Sequence, residues 1–139
     1  MEKPNLFNFR QRISAPHKLQ LGHVLEAKSK PLIVALILNG QAEKALDLLA
    51  KNYRVTTPKL KVGLPKGHKA TAYGCYTPKN TAISVLNSDI LGNPFVILHE
   101  FYHHLRTSIE KKHKGTEKNA DKFAREFIEA YNTFSVQQR

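Results

Sequence analysis

An α+β domain is what this sequence predicts, on three observations. Apolar residues recur at helical spacing toward both ends of the chain, while the middle breaks into short β-prone segments between turn signals. A proline-capped helix follows those segments. The 139 residues fit one domain, because a single core rarely splits below about 250 residues. Residues 1–15 read as an N-terminal arm and 16–139 as the domain.

From Pro16 to about Ala27, Leu19, Val24 and Leu25 give a weak helical pattern interrupted by Gly22. Ser29 followed by Pro31 resembles a helix start, and Asn39-Gly40 a left-handed stop. Leu32–Leu38 alone is equally readable as a buried strand, because periodicity does not separate the two at that length. Ala42, Ala45, Leu46, Leu49 and Ala50 make 41–52 an amphipathic helix. Pro58, Gly63-Leu64-Pro65, Lys66-Gly67 and Thr77-Pro78-Lys79-Asn80 then bracket three short strands, Lys59–Leu64, Ala70–Tyr76 and Thr81–Leu86. A mostly antiparallel sheet, connected as a meander, is the expected arrangement. Asn93 caps a strong helix with Pro94 in its first turn. A last helix begins near Thr116, with apolar residues at 120, 123, 124, 127, 128 and 131 on one face.

Composition limits the chemistry. Cys75 is the only cysteine, so neither an internal disulfide nor a thiolate-rich zinc site is available. The start lacks a basic segment followed by an apolar one, and the longest apolar run is far short of the roughly 20 residues that span a bilayer. A cytoplasmic protein without a membrane partner is the expectation. The 22 Lys and Arg against 11 Asp and Glu leave a net charge of +11, which favours an acidic partner, nucleic acid first. No acidic residue lies between Asp47 and Asp89, where Lys59, Lys61, Lys66 and Lys69 fall with Tyr53, Tyr73 and Tyr76 interleaved. Those four lysines are the expected phosphate contacts, and a solubilising surface is the competing reading.

The chemistry-bearing motif is His99-Glu100-Phe101-Tyr102-His103. Helical residues four apart share one face, so His99 and His103 can direct two imidazoles at one divalent ion. Glu100, one position on, flanks that ion and can move a proton between an attacking water and a leaving amine. One further protein ligand is needed. Glu110 lies about 10 Å beyond His103 on a continued helix, too far to share the ion. His113 requires an early helix break. Glu117 and Asp121 stand four apart at the start of the last helix, and spacing alone leaves the choice between them open. Tyr102, His104, His113 and Tyr131 are softer candidates for a hydrogen bond to an oxyanion. Cys75 is more simply a buried small hydrophobe than a thiolate cap on the ion.

The motif, followed by Glu117-Lys118-Asn119-Ala120-Asp121-Lys122-Phe123-Ala124, resembles the HExxH plus ExxAD/N-x-FA arrangement of ImmA/IrrE-like peptidases. More loosely, the element order is similar to the SprT-like domain. The likeness spans about residues 70–131. It implies a minimal zincin-like domain with one zinc ion per chain, held by His99, His103 and Glu117. Asp121 then orients a zinc-bound histidine. The implied activity is that of an endopeptidase acting on a protein or peptide substrate, one associated with DNA by analogy. Only 13 residues separate His103 from Glu117, short for this family. A tight hairpin would bring Asp121 closer to His103 than Glu117, so Asp121 stays an alternative ligand, as does His113. The alternative function is a basic nucleic-acid-binding module with a structural or vestigial metal site.

Overall fold

The computed structural model describes residues 29–67, 72–110, 113 and 115–137. The arm at 1–15, the helix expected at Pro16–Ala27, and Lys69 lie outside the described residues. The first described element, α1, is helical over 29–38, which settles the ambiguity of Leu32–Leu38 in favour of helix. It ends at Asn39-Gly40, where Gly40 takes a φ of +79°. α2 (Ala42–Tyr53) follows and buries Ala42, Ala45, Leu46, Leu49 and Ala50 on one face.

β1 (Lys59–Val62), β2 (Gly74–Thr77) and β3 (Ala82–Val85) form one sheet in the order β1-β3-β2. β3 runs parallel to β1 and antiparallel to β2. The expected meander is therefore incorrect, and the sheet is mixed. The physical reason lies in the strands themselves. All four residues of β3 are buried, so it takes the centre, whereas β1 alternates lysine with apolar residues and suits an edge. A short 3-10 turn, Pro78–Asn80, links β2 to β3.

α3 (Pro94–Ile109) begins as the sequence predicts: the Asn93 side-chain oxygen accepts a hydrogen bond from the Val96 N–H at 3.3 Å, and Pro94 opens the first turn. α4 (Glu117–Gln137) starts after Thr116, whose hydroxyl oxygen accepts from the Asn119 N–H at 3.0 Å. α3 and α4 pack side by side, and α3 also lies on the sheet. Ile33 and Ile37 of α1, Leu46 and Leu49 of α2, Ile83 and Val85 of β3, Ile97 and Phe101 of α3, and Phe127 of α4 meet in one core. Among the described residues the architecture is α+β, four α-helices and a three-stranded mixed sheet. Among the described residues, no helix is long and apolar enough to cross a membrane.

Two glycines let these elements approach. A Cβ at Gly74 would stand 2.7 Å from Val96 Cγ1 and 3.4 Å from Glu100 Cγ, so β2 lies directly against the helix face that carries Glu100. Gly115, at a φ of +76°, closes the turn from α3 to α4, and a Cβ there would meet the Tyr102 ring at 2.5 Å. Gly115→Ala is expected to destabilise the fold by about 1–3 kcal/mol through strain and overpacking. It should also displace Glu117, two residues on. Thermal unfolding and metal affinity measured on one preparation check both effects.

Candidate metal centre

α3 builds the site's floor. His99 and His103, one turn apart, bring their ring centroids within 5.1 Å at an interplanar angle of 74°. His103 is almost fully buried and His99 nearly so, with 5% and 13% of their side chains exposed. Phe95 on the preceding turn and Tyr102 wall the two rings. Glu100 is buried beside them, its Oε2 4.0 Å from His99 Nε2.

α4 supplies the other wall, running antiparallel so that position 117 faces 103 and position 121 faces 99. The Glu117 carboxylate spans both imidazoles, Oε1 at 3.0 Å from His99 Nε2 and Oε2 at 2.8 Å from His103 Nε2. Asp121 Oδ1 lies 2.8 Å from His99 Nδ1. Thus the tight hairpin forms without moving Asp121 onto His103. The exposed Glu117 carboxylate (75%) opens the site to solvent on the α4 side.

The donor set fits a divalent cation. His99 has a carboxylate oxygen at each ring nitrogen, and a neutral imidazole carries only one N–H. With the proton on Nδ1 donated to Asp121, the Nε2 lone pair faces the Glu117 oxygen, so positive charge is needed between them. That charge is either a second proton or a shared ion. Around a tetrahedral zinc with bonds of about 2.0–2.2 Å, adjacent ligand atoms stand about 3.3 Å apart, so the 3.0 and 2.8 Å separations here would open by about 0.3–0.5 Å to admit the ion. Ligand atoms of His99, Glu100 and His103 also lie within 4.8 Å of one another. Glu100 thus adjoins the site, but Glu117 is the carboxylate within 3.0 Å of both Nε2 atoms.

Other sequence candidates lie elsewhere. α3 continues without an early break to Ile109, leaving Glu110 exposed at its end. His113 is exposed, its Nδ1 accepting from the Gly115 N–H at 3.2 Å. Cys75 is buried in β2, where strand alternation directs it away from the face that Gly74 presents to α3. It is not placed to cap an ion at this centre. His104 is fully buried with both nitrogens engaged, so it is not an oxyanion donor. Its Nε2–H donates to the Thr56 carbonyl at 2.6 Å, which leaves Nδ1 to accept from the Tyr76 hydroxyl at 2.8 Å. Tyr131 packs against the core.

Sequence reasoning missed this Thr56–His104–Tyr76 chain, which ties the loop after α2 and the strand β2 to α3 behind the metal face. Burial holds the His104 pKa below its usual 6.5, partly opposed by the Thr56 hydrogen bond. Burial likewise raises that of Tyr76, offset by a Thr107 hydrogen bond. An imidazole whose folded pKa is depressed contributes stability above the unfolded value of about 6.5 and loses it as pH falls below that. Unfolding midpoints between about pH 8 and 5 should therefore decline on the acid side. His104→Gln should remove part of that slope; an unchanged slope would contradict the neutral assignment.

Comparison with known proteins finds no matching family model. It finds no significant match among curated proteins or solved structures either.

Proposed function

We propose that the chain is a zinc-dependent endopeptidase acting on a protein substrate. The observation that carries this reading is the Glu117 carboxylate spanning the Nε2 atoms of His99 and His103, with Glu100 buried alongside. His99, His103 and Glu117 would hold one ion, and Asp121 would fix the His99 ring with its Nδ1–H directed outward. When bound, zinc would supply Lewis-acid polarisation of a scissile carbonyl and of the attacking water. Glu100 would be the group that takes a proton from an attacking water and delivers it to a leaving amine. The resemblance of residues 70–131 to ImmA/IrrE-like peptidases, and more loosely to SprT-like domains, supports a minimal zincin-like domain.

The sheet supports one placement for such a substrate. Of the sheet's three strands, β3 is central and already paired on both sides. Among the described residues β2 is an edge, and it runs beside Glu100 through Gly74. An extended segment adding to β2 would lie along the metal face. The reading places the enzyme in the cytoplasm, in keeping with a chain whose one cysteine is buried rather than bridged. Hydrolysis of an unstructured protein such as casein should vanish on chelation and return with one equivalent of zinc. Hydrolysis that survives chelation would overturn the reading.

A second reading, a basic nucleic-acid-binding module with a structural metal site, is favoured by the acid-free stretch between Asp47 and Asp89. It predicts bound zinc with no hydrolysis under the same conditions.

A further inference from the structure

We infer that the β1 edge of the sheet is a docking surface for the phosphate backbone of double-stranded DNA, contacted by Lys79, Lys59, Lys61 and Lys66. Side chains alternate along a strand, so Lys59 and Lys61 leave β1 on the side opposite Leu60, which packs against the core. They stand about 6.6 Å apart along the edge. Lys79 lies near the start of this row, two residues before Thr81, whose carbonyl accepts from the Lys59 N–H at 2.9 Å. Lys66 lies past the other end, in the turn between Gly63 and Gly67.

All four lysines are exposed, and among the described residues none of them is in an ion pair. Among the described residues, Glu43 is an acid that comes near β1. It lines a pocket with Leu60 and Val62, on the opposite side of the strand from Lys59 and Lys61. Among the described residues the row is thus cationic without an ion-pair partner, which suits a polymer of dense, regular negative charge.

The aromatic residues decide which polymer. Proteins that hold single strands combine cations with exposed rings on which bases stack. Here Tyr53 packs against Phe101 and Phe123, and Tyr76 packs edge-on to His104. Tyr73 is the exposed tyrosine of this stretch. One ring is no stacking platform, so phosphate contacts carry the binding. A duplex presents the higher phosphate density, and its recognition is independent of base sequence.

Fluorescence anisotropy of a labelled DNA duplex of about 20 base pairs, titrated with the full chain, tests this. Four phosphate contacts predict a slope of log Kobs against log salt of about −3.6. Lys59→Glu with Lys61→Glu should bring the slope to about −1.8 and weaken binding at low salt by about tenfold or more. The neutral pair Lys59→Gln and Lys61→Gln, a milder change to the fold, should fall between. Arg125→Glu, on an exposed position of α4, should change affinity less than about twofold. Three results would overturn the inference. The wild type could fail to bind duplex with this salt dependence, leaving the lysines as guards against edge pairing. Arg125→Glu could cost as much as the β1 pair. Polyglutamate or a single strand of equal length could bind more tightly than the duplex through the same lysines. Glu100→Gln should bind duplex as the wild type does, so failure of the peptidase reading and failure of this one are separable.

Discussion

Glu100→Gln is expected to hold zinc as tightly as the wild type and to hydrolyse substrate about 10²–10⁴-fold more slowly. The side chain is buried on α3, packed near the backbone of Gly74, with its carboxylate 4.0 Å from His99 Nε2. Glutamine keeps that shape and fills the same space, so the fold and the neighbouring ligands are undisturbed. What it lacks is a basic oxygen to accept a proton. A drop in kcat at unchanged zinc content therefore isolates proton transfer from metal binding. Full activity in this variant would exclude Glu100 as the base and leave the hydrolytic mechanism without a proton carrier.

Glu117→Ala is expected to weaken zinc binding more than any other change on α4. Its carboxylate is the α4 group within 3.0 Å of both Nε2 atoms. Because the side chain is largely exposed, its loss should shift folding stability of the metal-free chain by less than about 0.5 kcal/mol. Asp121→Ala acts on the same histidine from behind, through Nδ1, and losses of about 10–100-fold in metal affinity are usual for such outer partners. Competition against a chromophoric chelator ranks the two. A larger loss for Asp121→Ala would exchange their roles and make Asp121 the ligand.

Much of the fold is written in local chemistry. Asn93-Pro94, Thr116 and Asn39-Gly40 mark helix ends by hydrogen bonds and left-handed turns that involve near neighbours only. The apolar faces of α2 and α4 likewise follow from spacing. The motif is legible for the same reason, since one helical turn brings His99 and His103 together.

Strand order was not legible, because pairing depends on residues distant in sequence. The clue was that Ala82-Ile83-Ser84-Val85 lacks the lysine alternation of Lys59-Leu60-Lys61-Val62, which separates a central strand from an edge. The close approaches at Gly74 and Gly115 are not legible in spacing, because they depend on what stands opposite, Val96 and Tyr102. His104 looked like one more imidazole beside the motif; only the fold brings Thr56 and Tyr76 to its two nitrogens. The choice between Glu117 and Asp121 turns on the register of α4 against α3, a tertiary property that spacing leaves open.

The proposed chemistry requires one ion gripped by two imidazoles of α3 and a carboxylate of α4. X-ray absorption at the zinc edge, on protein loaded with one equivalent of metal, tests it most directly. A stoichiometric ion is expected, with two imidazole nitrogens at about 2.0–2.1 Å and oxygen ligands at about 2.0–2.2 Å, one imidazole disappearing in His103→Ala. Protein that retains no stoichiometric zinc, or a coordination shell without imidazole, would contradict it.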